Sequence, residues 1–392
     1  MSKRVGMEVS IAVAEAVKLA NADVVAAYPI TPQTHIVEHL SELVADGELD
    51  AEYICVESEH SAMSAVVGSS AAGARSFTAT ASQGLALMHE ILFIASSMRL
   101  PIVMTVANRS LSSPLSIWND HSDIMASRDC GWIQYFVENG QEAFDHVLIA
   151  FRVAEDPEVS LPAIVNLDGF VLSHVIEPHI LLDEEEAARY LPPFRPLNRL
   201  DPDRPVTMGA FAMPDFYMEV KKAQETALRN SRATIDKGWR EFADLTGRQY
   251  HAVESYRAEG AEVLLLTMGA LGETASVAID RMRDEDLPVG LVRLRLWRPF
   301  PADDLRKALG GARKIVVLDR AISFGAAANP VAAELASLFY DTEPRPRIAN
   351  AVVGIGGRDV RVQDFEALLK KALQGESRPG PVGDYELVGV RE

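Results

Sequence analysis

Along most of the chain, short apolar runs alternate with longer stretches of helical periodicity. Between Glu8 and Ala20, the residues Val9, Ala12, Val13, Ala16 and Leu19 form one apolar stripe, while Glu15 and Lys18 fall off it. This pattern predicts an amphipathic helix, into which the segment from Gly6 onward also reads. The run Val24–Ala27 then predicts a buried strand. The alternation continues with helix Gln33–Ala45, strand Glu52–Val56, helix Glu59–Ala72, strand Ser76–Ala79, helix Leu85–Ser97 and strand Ile102–Val106. After a loop come strand Ile133–Val137, helix Glu142–Ala154 and strand Ala163–Asn166. Strands alternating with helices of this length imply a parallel sheet covered on both faces. This first α/β domain is expected over residues 1–181.

The pattern breaks at Leu182. Glu184, Glu185 and Glu186 are followed by Pro192, Pro193, Pro196, Pro202 and Pro205, and then by an amphipathic helix from Asp215 to Ala243. Residues 182–258 therefore read as a linker and helical arm. A second alternating block over residues 259–374 opens at Ala261–Thr267. Helix Glu273–Arg283, strand Val289–Arg293, helix Ala302–Leu309, strand Lys314–Leu318, helix Ala327–Phe339, strand Arg347–Val353 and helix Val362–Leu373 complete it. Residues 375–392 read as a tail. The expected fold is thus α/β, with two parallel-sheet domains joined by an arm.

Composition narrows the function classes. The chain has 392 residues, 38 basic against 56 acidic, for a net charge of −18, which argues against a general nucleic-acid surface. Two cysteines, Cys55 and Cys130, form no disulfide framework, no zinc-ligand spacing and no four-cysteine cluster site. No metal site is expected, and a reduced, cytoplasmic setting is the default. No apolar run approaches the roughly 18 residues of a membrane span. A GxxxxGK[ST] phosphate loop is missing, and Gly354-Ile355-Gly356-Gly357 reads better as a turn than as a dinucleotide fingerprint.

The polar residues that could carry chemistry cluster just after predicted strands, where ligands sit in α/β sheets. Tyr28-Pro29-Ile30-Thr31-Pro32-Gln33-Thr34 follows the first strand, and its two prolines stiffen it. Thr31 or Thr34 there could simply cap the next helix. Glu57-Ser58-Glu59-His60 follows the second strand. A carboxyl partly stripped of water at Glu59 suits proton exchange with a ring nitrogen; the plainer role is to complement the helix dipole. Ser82-Gln83-Gly84 follows the third strand, as a turn or as backbone offered to a ligand. Asn108-Arg109-Ser110-Leu111 follows the fourth. Arg109 could hold a carboxylate through two parallel hydrogen bonds, or make an ordinary ion pair. Asp120, His121 and Asp123, in the next loop, read equally as site lining or as a local hydrogen-bond knot.

Taken in order, these motifs resemble the α subunit of the 2-oxoacid:ferredoxin oxidoreductases, the pyruvate:ferredoxin oxidoreductase family, from about Gly6 to Phe365. The resemblance implies a pyrimidine-binding domain of a thiamine diphosphate enzyme followed by a transketolase C-terminal-like domain. It places the cofactor-binding, catalytic glutamate at Glu59, with Gly84 beside the cofactor. It places the 2-oxoacid carboxylate on Arg109 with Thr31 nearby, and Pro29, Ser82, Asn108, Asp120 and His121 lining the site. No Gly-Asp-Gly followed by Asn, the usual magnesium–diphosphate motif, is found. Mg2+ and [4Fe-4S] clusters are accordingly expected in partner subunits: a β subunit sharing the thiamine diphosphate, a γ subunit and a ferredoxin-like δ subunit. Coenzyme A would be co-substrate, and ferredoxin or a similar protein the electron acceptor. Pyruvate is the expected 2-oxoacid, with phenylglyoxylate the runner-up and oxalate or branched 2-oxoacids further options. A β subunit of a lipoamide-linked 2-oxoacid dehydrogenase would share the two-domain plan but not the Tyr-Pro-Ile-Thr-Pro run, and a non-catalytic scaffold would have no need of Thr31, Glu59 and Arg109 together.

Overall fold

Strands Ser76–Thr80, Val103–Asn108 and Ala163–Asp168 are buried at every position, which requires cover on both faces of their sheet. The computed structural model, which describes residues 3–375 and 385–391, places them at the centre of a seven-stranded sheet. From edge to edge its order is Leu296–Arg298, Ile133–Phe136, Ala163–Asp168, Val103–Asn108, Ser76–Thr80, Val24–Ala27 and Glu52–Cys55. All neighbours pair in parallel except the first two. Helices Val9–Leu19 and Gly140–Ala154 pack on one face through Val13, Val17, Phe144 and Phe151. Helices Glu59–Ala72 and Ser82–Ser97 pack on the other through Met63, Val66, Met88 and Leu92.

A six-stranded sheet follows, in the order Glu386–Leu387, Arg347–Val352, Lys314–Asp319, Val263–Thr267, Val289–Leu294 and Val253–Tyr256, the last antiparallel to its neighbour. The two sheets are joined by the 33-residue helix Pro214–Thr246. Its C-terminal half packs on the first domain through Ile235, Trp239 and Phe242, while Phe216 and Met218 at its N-terminal end are exposed. Among the described residues no helix is long and apolar enough to cross a membrane.

The structure departs from the sequence reading in several places. Within the stretch read as linker and arm, Glu184–Tyr190 is a helix and Val253–Tyr256 is a strand of the second sheet. Residues Lys3–Glu8 do not extend the first helix; they form a strand antiparallel to Ile176–Leu181. Leu296–Arg298 leaves the second block and pairs with Ile133–Phe136 in the first sheet. Glu386–Leu387, in the stretch read as a tail, adds an edge strand to the second sheet; residues 376–384 and 392 of that stretch lie outside the described residues.

The two sheets are latched by buried polar groups. Asp168, at the end of its strand, lies 2.8 Å from His121 Nε2 and 2.9 Å from Arg320 Nη1. It also accepts the Ala270 N–H at 2.6 Å. Burial pushes its carboxyl up, but Arg320 and His121 outweigh that and hold it well below the usual carboxylate range. Nearby, Gly357 N–H donates to Asn119 O at 2.7 Å, and Gly356 N–H to Asp120 Oδ2 at 3.1 Å. Gly357 has φ +73°, and a Cβ there would sit 2.4 Å from Trp118 Cβ, so only glycine allows this approach.

Breaking one partner of a buried ion pair strands the other. Arg320→Met is therefore expected to lower stability by about 3 kcal/mol, and Asp168→Asn combined with it to recover part of that loss, both read by denaturant unfolding. The sign with pH follows from the depressed Asp168 pKa. Its contribution is present above the unfolded value near ~3.9 and is lost as pH falls through the lower folded value. Acid unfolding of Asp168→Asn should show a shallower loss in that window; unchanged acid unfolding would refute the assignment.

Candidate active site

The sequence motifs converge because their strands are neighbours. Val103–Asn108, Ser76–Thr80, Val24–Ala27 and Glu52–Cys55 are consecutive in the sheet and parallel, so their carboxyl ends open on one edge.

Ser58 caps helix Glu59–Ala72, its Oγ accepting the Ser61 N–H at 3.2 Å, which fixes Glu59 as the first helical residue. Glu59 is only 7% exposed. Among the described residues its carboxylate forms no ion pair and accepts no hydrogen bond. Gly84 presses against it: a Cβ at Gly84 would lie 2.8 Å from Glu59 Oε1 and 2.3 Å from Thr80 Oγ1. Thr80 Oγ1 is itself buried without a partner among the described residues. A buried hydroxyl without a partner is costly unless a ligand supplies one, and the neighbouring Glu59 carboxylate, free of protein contacts among the described residues, is open to the same ligand. The edge of a nitrogen heterocycle, flat enough to pass the glycine and carrying N–H donors, fits this donor set.

Ser82, two residues before Gly84, has φ +45°, a region a side chain occupies only under constraint. Its N–H donates to Asp123 Oδ2 at 3.0 Å and its hydroxyl to Ser110 O at 2.5 Å. The same Asp123 oxygen accepts the Arg109 N–H at 3.0 Å, and Oδ1 accepts Asn108 Nδ2 at 3.1 Å. Burial pushes the Asp123 carboxyl up to about 7 against these three donors. One carboxylate thus ties the loop that carries Gly84 to the loop that carries Arg109.

Arg109 is 6% exposed and has no carboxylate partner among the described residues. Its Nε donates to Ser116 O at 2.9 Å and its Nη1 to Thr31 O at 2.8 Å. Nη2 makes no protein hydrogen bond among the described residues. Burial lowers its pKa somewhat, opposed by Asp123, but the guanidinium stays charged. The guanidinium is thus aimed by two backbone carbonyls and left without a counter-ion. Thr31 approaches it through its carbonyl; its own side chain and Pro29 are exposed at the same rim.

The other expected lining residues are placed differently. Asn108 is fully buried and bonded to Asp123 and Asn166. Asp120 accepts from Ser110 and Ser122 as well as Gly356, and His121 belongs to the Asp168 latch. Both serve the seam between the sheets. Asp168, which ends an apolar strand run, escaped the sequence reading; a lone charge at that position was the available signal. Thr80 escaped as well, being one of several small polar residues in its strand.

The sequence profile described as pyruvate flavodoxin/ferredoxin oxidoreductase, thiamine diphosphate-binding, matches residues 15–238. The profile described as pyruvate:ferredoxin oxidoreductase core domain II matches residues 261–365. The pyruvate synthase subunit PorA of Methanothermobacter thermautotrophicus is 50% identical over 93% of this chain and 94% of its own length. The ketoisovalerate oxidoreductase subunit VorA of Pyrococcus abyssi is 42% identical over 96% of each. In structure, the 2-oxoglutarate:ferredoxin oxidoreductase of Magnetococcus marinus, solved with 2-oxoglutarate, coenzyme A and succinyl-CoA, superposes with a TM-score of 0.72 at 20% identity. The alignment covers 95% of this chain and 65% of that one, a likeness of fold. With more than half of its residues matched by one profile and relatives of this identity along nearly its whole length, the chain belongs to the pyruvate flavodoxin/ferredoxin oxidoreductase family, among its α subunits.

Proposed function

We propose that this chain supplies the pyrimidine half of a thiamine diphosphate site in a pyruvate:ferredoxin oxidoreductase, and the group that receives the substrate carboxylate. The observation that carries the reading is the unmatched Glu59 carboxylate lying against Gly84. When bound, thiamine diphosphate supplies the electron sink that lets a 2-oxoacid lose carbon dioxide. Glu59 would hold a proton at its Oε1, in hydrogen-bond exchange with a ring nitrogen of the aminopyrimidine. Gly84 lets the ring reach that carboxylate. Arg109 would take the 2-oxoacid carboxylate on its Nη1–Nη2 edge, with Thr31 at the rim, orienting the carbonyl toward the cofactor.

We further infer that coenzyme A accepts the acyl group and ferredoxin the electrons, by analogy with the 2-oxoglutarate:ferredoxin oxidoreductase of Magnetococcus marinus and its bound coenzyme A and succinyl-CoA. Magnesium, the diphosphate contacts and the iron–sulfur clusters are assigned to β, γ and δ partner subunits, because this sequence carries no motif for them. Pyruvate is favoured by the 50% identity to a pyruvate synthase subunit. A branched 2-oxoacid is the second reading, favoured by the 42% identity to a ketoisovalerate oxidoreductase subunit.

Two variants of the assembled complex test these roles. Gly84→Ala should displace Glu59 and weaken thiamine diphosphate binding at least about tenfold, since roughly 1.4 kcal/mol is one decade. Glu59→Gln should leave assembly intact and reduce turnover far more. Cofactor titration and turnover of both complexes decide: near-normal turnover of Glu59→Gln would return Glu59 to a helix-start role.

For Arg109, lysine keeps the charge and loses the paired geometry. Arg109→Lys should raise KM and lower kcat/KM by an amount equivalent to about 1.5–3 kcal/mol, with cofactor binding nearly unchanged. Steady-state kinetics with pyruvate alongside cofactor titration checks this. Intact kcat/KM, or loss of cofactor binding instead, would remove Arg109 from the substrate.

A further inference from the structure

Three half-buried side chains from distant parts of the sequence, none of them used in the proposed site, come together. Glu8 ends strand Lys3–Glu8 and precedes helix Val9–Leu19. His35 lies in the first turn of helix Thr34–Ala45. His174 follows the turn after strand Ala163–Asp168. Each offers one ligand atom, and the three atoms lie within 4.8 Å of one another.

We propose that Glu8, His35 and His174 bind a divalent transition-metal ion of the zinc or cobalt class. Two imidazoles and a carboxylate are the ligand chemistry such ions take, and a soft thiolate is not required. His35 Nδ1 already sits 2.7 Å from Glu8 Oε1. Ligand atoms on a tetrahedral zinc with ordinary bonds are about 3.3 Å apart, so the pair needs to open only slightly to admit an ion. The His35 and His174 rings face one another with centroids 4.6 Å apart, and side-chain rotation brings the third nitrogen in.

The surroundings resemble the outer support of a metal ligand. His174 Nδ1 lies 2.7 Å from Ser173 Oγ, which orients the ring and leaves Nε2 free to ligate. The Ser173 hydroxyl also accepts the Phe170 N–H at 2.9 Å. Ser10 fixes the same segment by donating its hydroxyl to Ser173 O at 2.7 Å. The Glu8 and His35 side chains are 22% and 42% exposed, so water can complete the coordination. An ion here would pin the segment 169–174 to the helix that follows Thr31. Gly169 in that segment packs against Pro32 and Asn108. The inference is independent of the proposed activity.

The test is titration of the purified, chelator-treated chain with Co2+, followed by visible d–d absorption and by thermal unfolding. One equivalent should bind and raise the unfolding temperature. Glu8→Gln and His174→Ala should each weaken binding at least tenfold while the far-UV spectrum stays native. His35→Gln provides a second imidazole deletion should His174→Ala fail to fold. His39→Ala, on the same helix but bonded to Glu15 and Glu42, should bind as the parent does. Absence of saturable binding, binding unchanged in the Glu8 and His174 variants, or equal loss in His39→Ala would each overturn the proposal.

Discussion

The geometry of the strand-end edge hangs on one buried carboxylate. Parallel strands end in N–H groups that their neighbours no longer satisfy, and a site built there must satisfy them without filling the space a ligand needs. Asp123 does this from outside the sheet. It accepts from Ser82 and Arg109 backbone and from the Asn108 amide, which it shares with Asn166. Its desolvation is the cost of that service, visible as a carboxyl pushed up to about 7. The positive φ of Ser82 persists because this acceptor and Ser110 O over-determine it.

The treatment of buried arginines separates architecture from candidate chemistry. Arg75 is paired with Glu155, Arg295 with Glu142 and Glu254, and Arg320 with Asp168, each at 2.9 Å or less. These satisfy the rule that a buried charge is matched inside the fold. Arg109 is as buried as they are, yet only backbone carbonyls contact it. Carbonyl dipoles orient a guanidinium without neutralising it. A cation held that way is ready for an anion from solution, and the same logic applied with opposite sign describes Glu59. Among the described residues the edge therefore combines a carboxylate and a guanidinium that have no ion-pair partner, while at the seam Asp168 is matched by Arg320 and His121.

Much of this was legible before any coordinates. Runs such as Val24–Ala27 and Lys314–Leu318 are too apolar and too short to be anything but buried strands. Helix Glu59–Ala72, whose serine cap precedes it and whose Gly73 ends it in the left-handed region, could be bounded to the residue. What escaped depended on distant partners. Lys3–Glu8, Lys-Arg-Val-Gly-Met-Glu, has no period-two alternation, and it becomes a strand because Ile176–Leu181 lies beside it. Leu296–Arg298 has three residues and no periodicity to read; the unpaired edge of Ile133–Phe136 defines it. Asp120 and His121 carry the residue types of an active site, but whether they face a ligand or a seam is decided by Gly356 and Arg320, far away in the sequence.

The incomplete chemistry of the edge is itself informative about assembly. A lone enzyme domain closes its own site, so that each buried ionisable group finds a partner in protein, metal or substrate. Here the Glu59 carboxylate and the Arg109 guanidinium are left open, while the sequence carries no Gly-Asp-Gly and Asn motif of the kind that holds a magnesium ion and diphosphate. Glu59 and Arg109 are nonetheless placed by specific contacts: the Ser58 cap, the close approach of Gly84 and the Asp123 knot. Pre-organised groups meet an incoming ligand or surface with little reordering cost. The physical reading of the site thus agrees with the relatives' being named as subunits of oxidoreductases: its carboxylate and guanidinium are left open to groups that this chain does not itself supply.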